Sequence, residues 1–248
     1  MIENIIKIAQ EASHKIMEIY NAADCSIEYK SDQSPITQAD LVSNQYIIEQ
    51  IQKISDLPII SEEKNVEYET RKKWNSFWLI DPLDGTKDFI AKDGQFTVNI
   101  ALVENHHPIL GVVSIPAQNT IYWGIKNKGA FKNNTPIQCN RSRTQLIGSD
   151  SNFHSTEATL NFYKTNHISD IKRYGSSLKF CKIAEGEIDV YARLNGTMEW
   201  DTAAAHIILN EAGGKIMDIK TQEELVYNKE NLLNNYFIAS RNDLTFIV

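Results

Sequence analysis

Cysteine is scarce in this chain of 248 residues: there are three, at Cys25, Cys139 and Cys181. Three scattered thiols are too few for a disulfide framework and lack the spacing of a zinc site. Reduced thiols in a cytoplasmic protein are the expected state. An excess of positive charge is missing too. The formal net charge is −7, whereas a surface for nucleic-acid polymers is usually basic, so no such polymer is expected as a partner. A small anionic ligand would need local cations, most simply bound metal. The N-terminal stretch "MIENIIKIAQEASHKIMEIY" carries charges throughout, which fits neither a signal peptide nor a membrane span. Repeats, low-complexity linkers and a Cys- or His-centred nucleophile motif are also lacking.

What is present is an ordinary globular composition, 42% hydrophobic and 23% charged, long enough for a sizeable core. Ile5, Ile8, Ala12, Ile16 and Ile19 mark one face of an amphipathic helix. The polar stretch "YKSDQSPITQAD" carries turn formers. A second helix follows, with Ile47, Ile48, Ile51 and Ile54 on one side. "LPIIS" reads as a short buried strand ending at Glu62-Glu63, and "NVEYETRKKWN" as an exposed connection or lid. "FWLI", "FTVNIALVEN", "PILGVVSIP" and "TIYWGIKN" are β-type runs, and "KNKGAFKNNTPI" a hairpin. Later come a strand in "TQLIGSDS", a helix over about 155–166, a helix from Ser177 to Glu185 stopped by Gly186, and a strand in "EIDVYARL". "WDTAAAHIILNEAGG" is a helix closed by Gly213-Gly214, and "KIMDI" and "NYFIAS" are final strands. The class is α+β: one domain whose N-terminal α+β half (about 1–135) meets a C-terminal α/β half (about 136–248).

Acids stand at strand ends or helix starts in four places: Asp40, Glu62, Asp81 with Asp84, and Asp201. Each has a structural explanation when taken singly. Thr37-x-x-Asp40 is close to a capping box. Glu62 could be a solvated turn acid, Asp201 a helix N-cap, and Asp84-Gly85-Thr86 a plain turn. Asp81 is harder to dismiss. "FWLI" is apolar throughout, as a strand covered on both faces would be, and open α/β sheets place ligands at the C-terminal ends of strands. Pro82 lacks the amide hydrogen that would continue the ladder. Gly85 allows a sharp reversal, and the amides after it could open a helix whose N-terminus favours anions. Oxygen ligands without His or Cys suit Mg²⁺, and paired carboxylates around metals are the chemistry of phosphoryl hydrolysis. From spacing alone, metal site, cap and turn all remain open.

"SEE" at 61–63, "DPLDGTKDF" at 81–89 and "WDTAAAHIIL" at 200–209 occur in that order. Together they resemble the inositol monophosphatase superfamily of Li⁺-sensitive, Mg²⁺-dependent phosphatases. "NIALVENHHPILGVVSIP" and "GSSLKFCKIAEG" resemble its 3′(2′),5′-bisphosphate nucleotidase branch. The resemblance spans nearly the whole chain. It implies a layered αβαβα sandwich and two or three Mg²⁺ ions. Glu62, Asp81 and the Leu83 carbonyl would hold one ion, and Asp81, Asp84 and Asp201 a second, with Glu62 beside a third. The Gly85 and Thr86 amides would hold the scissile phosphate. Asp40 and Thr86 would orient or deprotonate the attacking water. Lys30 resembles a metal-loop lysine of the family.

The resemblance also bears on the substrate. Inositol monophosphatases have an acidic residue for inositol hydroxyls where this chain aligns Arg193. A cation there suits a second phosphate, since guanidinium binds phosphate bidentately. Gly175, Ser176 and Ser177 could add amides and hydroxyls at a helix start; Lys179 beside them carries little weight. The implied activity is hydrolysis of the 3′-phosphate of adenosine 3′,5′-bisphosphate to AMP and phosphate, with a small-molecule nucleotide bisphosphate as partner. The alternatives are an inositol or sugar-phosphate phosphatase, and a non-catalytic protein that kept the fold. The resemblance further implies a monomer or homodimer, in the cytoplasm or peripherally associated with the cytoplasmic face of the inner membrane.

Overall fold

The computed structural model describes residues 1–22, the backbone of 27–29, and residues 35–64, 66–139 and 143–247. Lys30 and Cys25, expected above as a metal-loop lysine and a reduced thiol, lie outside the described residues. Along the chain, α1 (Ile2–Asn21) leads to a small antiparallel pair, β1 (Ile27–Tyr29) and β2 (Pro35–Thr37), and then to α2 (Gln38–Gln52). The first large sheet is built from β3 (Ile59–Ser61), β4 (Ser76–Asp84), β5 (Thr97–Glu104), β6 (His107–Ile115), β7 (Thr120–Ile125), β8 (Gly129–Lys132) and β9 (Thr135–Ile137), side by side in that order. Two short helices interrupt it, α3 (Tyr68–Arg71) and α4 (Thr86–Ala91). The second half alternates: β10 (Ile147–Ser151), α5 (Glu157–Thr165), β11 (Asp170–Tyr174), α6 (Leu178–Ala184), β12 (Val190–Arg193), α7 (Ala203–Glu211), β13 (Gly214–Asp218) and β14 (Phe237–Arg241). Its sheet has the order β11-β10-β12-β14-β13.

Apolar patterning dictates how these layers stack. In α1, Ile5, Ile8, Ala9, Ala12 and Ile16 recur with helical spacing and pack with Ile47 and Ile51 of α2 on one face of the first sheet. That face presents Trp78, Ile80, Val98, Ile100 and Val112. The alternate residues, Phe77, Leu79, Ala101, Val103 and Val113, point the other way, because successive strand side chains alternate. They meet α6 and α7, which in turn cover Tyr191, Ile216 and Phe237 of the second sheet. On that sheet's outer face Val190, Ala192 and Ile238 pack under Phe162 and Tyr163 of α5. The result is an αβαβα sandwich, with β4 and β5 covered on both faces. Among the described residues no helix is long and apolar enough to cross a membrane.

Several expectations need correcting. "FWLI" does not end its strand at Asp81; β4 runs on to Asp84 through a register shift. The segment "NVEYETRKKWN" is not a free lid. It contains α3, whose Arg71 is 3% exposed and donates to Val66 O (3.1 Å), Asn228 Oδ1 (2.9 Å), Lys229 O (2.6 Å) and Glu230 O (2.8 Å). "DIKRY" forms β11, a strand absent from the sequence reading, paired parallel to β10 at the sheet edge. Part of the polar stretch before α2 is β2. Ile54 lies past the end of α2 and is exposed.

Helix α7 touches the first sheet at two glycines. A Cβ on Gly111 of β6 would lie 2.2 Å from Ala204 O and 2.6 Å from Ile207 Cγ2; on Gly124 of β7 it would lie 3.0 Å from Ile208 Cα. Gly111→Ala is therefore expected to lower stability by about 2–3 kcal/mol through overpacking, and Gly124→Ala by less. Urea unfolding of the two variants checks the ranking.

Candidate metal centre and active site

The geometry of the acid pair comes from the irregularity in β4. Asp81 pairs with Asn99, and Asp84 pairs with Thr97, so three steps on one strand face two on the other. In a regular strand, residues three apart point to opposite faces. The extra residue of the bulge turns Asp84 back to the face of Asp81. Pro82, unable to donate to a ladder, sits inside the bulge where no donor is needed. Its carbonyl accepts from Ser43 Oγ of α2 at 2.8 Å, which pins the bulge from the other layer.

Asp201 arrives from the middle layer, at the end of the 3₁₀ turn Glu199–Asp201 that precedes α7. Buried Glu199 anchors this turn by accepting from Lys229 Nζ (2.6 Å) and from the amides of Asn228 (2.6 Å) and Lys229 (3.0 Å). Each carboxylate of the trio also accepts a backbone amide. Asp81 Oδ1 takes Leu83 N (3.0 Å), Asp84 Oδ2 takes Ser177 N (2.6 Å), and Asp201 Oδ2 takes Met198 N (2.8 Å). Ligand oxygens of Asp81, Asp84 and Asp201 lie within 4.8 Å of one another. Glu62 follows β3, which runs parallel to β4, and its amide donates to Ile80 O (3.1 Å).

Electrostatics report the same convergence. Burial, then the charges of Glu62, Asp84 and Asp201, push the Asp81 carboxyl well above its usual range. Burial, then Asp84 and Glu62, do the same to Asp201. Asp84 is raised by burial and partly relieved by Lys179 and the Ser177 amide. All the donors are hard oxygens, and the trio is short of positive charge. This donor set fits a divalent cation such as Mg²⁺.

Beside the trio, Asp40 serves two partners. Its Oδ2 accepts the Thr37 amide (2.7 Å) and hydroxyl (2.6 Å), completing the capping box of α2. Its Oδ1 accepts Thr86 Oγ1 at 3.2 Å. The cap and the contact to Thr86 thus coexist on one side chain. Burial raises the Asp40 pKa. Gly85 adopts φ 89° at the start of α4, a left-handed conformation that glycine accepts without strain. A Cβ there would also press on Ser176 Cβ and Asp88 Oδ2, each at 3.2 Å.

The expected second-anion contacts fare differently. Arg193 ends β12 with Nη2 on Gly196 O (2.9 Å), Nη1 at 3.5 Å from Tyr191 Oη, and a buried Nε without a partner. Its charge reaches Asp201. By contrast, the Gly175 amide, the Ser176 hydroxyl, and both the amide and hydroxyl of Ser177 are donated to protein acceptors. Those groups are not waiting for a ligand, because the bend is stitched onto the first sheet.

Lys179 was underweighted in the sequence. It is 2% exposed, donates to Tyr174 O (3.0 Å) and lies over the Tyr191 ring. Burial and Arg193 lower its pKa to about 8, against the pull of Asp84, Asp88 and Asp150. A lysine among Leu178, Phe180, Cys181, Ile183 and Ala184, all buried, was the available signal. Thr97 and Asn99, near the Asp84 carboxylate at 3.4 Å, were missed as well. They were visible as polar residues alternating within an apolar strand.

A five-layer sandwich with a carboxylate trio where a bulged strand meets the turn before a buried helix defines the class: a metal-site fold of the sugar-phosphatase type. The inositol monophosphatase family model matches residues 1–245, and the chain belongs to that family. It is similar to the 3′(2′),5′-bisphosphate nucleotidase CysQ of Buchnera aphidicola, 40% identical over 97% of this chain and 93% of that protein. It is likewise similar to CysQ of Salmonella typhimurium, 37% identical over 96% of this chain and 98% of that one. The crystal structure of CysQ from Bacteroides thetaiotaomicron superposes with a TM-score of 0.88 at 34% identity, covering 98% of this chain and 97% of that one.

These raised acids make metal binding and folding pH-dependent. For a buried acid with a raised folded pKa, the neutral form stabilises the fold. That contribution is complete below the ordinary carboxylate pKa of about 4. It is lost as pH rises through the raised folded values of these acids and of the neighbouring Asp88, which burial lifts to about 7. Metal needs the ionised ligands. Metal-free protein is therefore expected to melt at a lower temperature near pH 8 than near pH 5, with millimolar Mg²⁺ raising Tm more at the higher pH. Equal Mg²⁺ shifts in scanning calorimetry at the two pH values would contradict a carboxylate site.

Proposed function

We propose that the chain is a Mg²⁺-dependent phosphomonoesterase that removes the 3′-phosphate of adenosine 3′,5′-bisphosphate, giving AMP and phosphate. The name shared by its CysQ relatives, 3′(2′),5′-bisphosphate nucleotidase, supports the activity. The observation that carries the substrate class is a group of cations in a chain of net charge −7. Arg193, Lys87 and Lys179, after burial, pull the His154 pKa down to about 4. Arg193 also acts on Asp201 and Lys179 on Asp84, and positive charge beside the acid trio suits an anion other than the one being hydrolysed. A monophosphorylated polyol has no second phosphate to meet them.

On this reading Glu62, Asp81, the Leu83 carbonyl, Asp84 and Asp201 hold two or three Mg²⁺ ions. When bound, these supply Lewis-acid polarisation of the phosphoryl oxygens and a water of lowered pKa. The rest falls to the protein. The Thr86 hydroxyl donates to Asp40 Oδ1 at 3.2 Å and accepts a hydrogen bond from the attacking water, so the water's proton passes to Thr86 as Thr86's own proton passes to Asp40. Asp40, with its pKa raised by burial, is a stronger base than a solvated aspartate. The Gly85 and Thr86 amides hold the scissile phosphate, and Arg193 holds the phosphate at the far end, with the buried Lys179 behind it adding positive charge.

Phosphate release should be much faster from adenosine 3′,5′-bisphosphate than from inositol 1-phosphate; the opposite ranking defeats the reading in favour of a sugar phosphatase. Arg193→Ala should raise KM for the bisphosphate by roughly 10–100-fold, the scale of a charge-assisted contact, and change KM for adenosine 3′-monophosphate little. Asp81→Asn should lose at least about a hundredfold in turnover while staying folded. Full activity in that variant would favour a non-catalytic role.

A further inference from the structure

The bend at residues 175–177 belongs to the second half of the chain, yet its polar groups are bonded to the first sheet. The Gly175 amide donates to Gln95 Oε1 (2.9 Å), and Ser176 Oγ donates to Gln95 O (2.7 Å). Ser177 Oγ donates to Asn99 Oδ1 (2.7 Å) and lies 2.8 Å from Thr97 Oγ1. The Ser177 amide is left to point at Asp84 Oδ2, at 2.6 Å. Ser176 adopts φ 44°, in the left-handed region that a side chain disfavours. Something must hold it there.

Two features do so. One is close packing: a Cβ on Gly175 would lie 2.3 Å from Asp88 Oδ1 and 2.7 Å from Gln95 O. The other is the pair of hydrogen bonds to Gln95, which reach the residues on either side of the 175–176 peptide. Gln95 is itself well placed to act as an anchor. Its amide donates to Asp93 Oδ1 (2.8 Å), and the next residue, Phe96, is fully buried against Tyr20 and Phe89.

We propose that Gln95 is a positioning residue for the metal ligand Asp84. It fixes Gly175 and Ser176 so that the left-handed Ser176 directs the Ser177 amide onto Asp84 Oδ2. One oxygen of Asp84 is thereby held in place, which orients the carboxylate for metal. Gln95 needs no contact with metal or substrate to do this. Partners that orient ligands in this way typically set metal affinity by 10–100-fold. The proposal rests on the reading of Asp84 as a metal ligand.

The test is isothermal titration of metal-free protein with Mg²⁺, alongside urea unfolding. Gln95→Met keeps the volume but removes the acceptor, and is expected to weaken Mg²⁺ binding about tenfold or more. Adding Ser176→Gly removes the Ser176 Oγ bond to Gln95 O but also the strain at φ 44°, which glycine adopts without being held, so it should restore part of the affinity. A loss of packing alone would lower the unfolding midpoint without rescue by glycine. Should the methionine variant fail to fold, Gln95→Asn, polar but one methylene short of Gly175, makes the same comparison. Unchanged Mg²⁺ affinity in these variants overturns the proposal, and so does a weakened affinity that Ser176→Gly does not raise at all. A wild-type protein that binds no Mg²⁺ instead overturns the metal reading itself.

Discussion

Mutual repulsion among Asp81, Asp84, Asp201 and Glu62 is the constraint around which the rest of the fold is arranged. Two carboxylates 4 Å apart repel by about 4 kcal/mol at an effective dielectric near 20, and burial adds to this. A metal-free chain must therefore hold these acids together against their own charge. It does so with amides. Leu83, Met198 and Ser177 each point an N–H at one member of the trio. Each amide belongs to a local irregularity: the β4 bulge, a 3₁₀ turn and a left-handed bend. The departures from regular structure thus coincide with the places where a carboxylate is being aimed.

Such a site cannot be built by one sheet. Asp81 and Asp84 lie on β4, whereas Asp201 depends on where α7 begins. The helix rests on Gly111 and Gly124, positions with no room for even a methyl group or with very little. Close approach there sets the depth at which the preceding turn delivers Asp201. The Glu199–Lys229 pair and the Arg71 clamp fix the other end of that turn. Core packing and ligand geometry are consequently one problem, and the small side chains of "AAAH" in α7 serve both.

Much of this was legible in the sequence where the signal was local. The stripe of α1, the apolar runs of β5 to β7, the glycine after α6 and the acids that converge at the end of β4 all followed from period, composition or resemblance. The failures have a common physical cause. Strand β11 carries Asp170, Lys172 and Arg173 because it is an edge strand, so its composition imitates a loop. Arg71 looked solvated because its acceptors, at 228–230, lie more than 150 residues away. The β4 bulge depends on the register against β5, which Pro82 alone does not specify. The bend at 175–177 has a ligand-binding composition, and only long-range pairing reveals that its donors are taken up.

The same logic bears on substrate choice. The centre has negative charge in excess, and Lys87, Lys179 and Arg193 bring positive charge beside it, part of it offset by Asp88 and Asp150. The two are close enough that Arg193 perturbs Asp201 and Lys179 perturbs Asp84. Divalent cations relieve the first and an anion relieves the second. On the proposed reading a nucleotide bisphosphate meets both requirements in one molecule, with one phosphate at the metals and one at the cations. The depressed pKa of Lys179 fits this account. A dianion nearby would favour its protonated form, so that the lysine is fully charged when the ligand is in place. On that reading, specificity follows from the acids and the cations together rather than from any single contact.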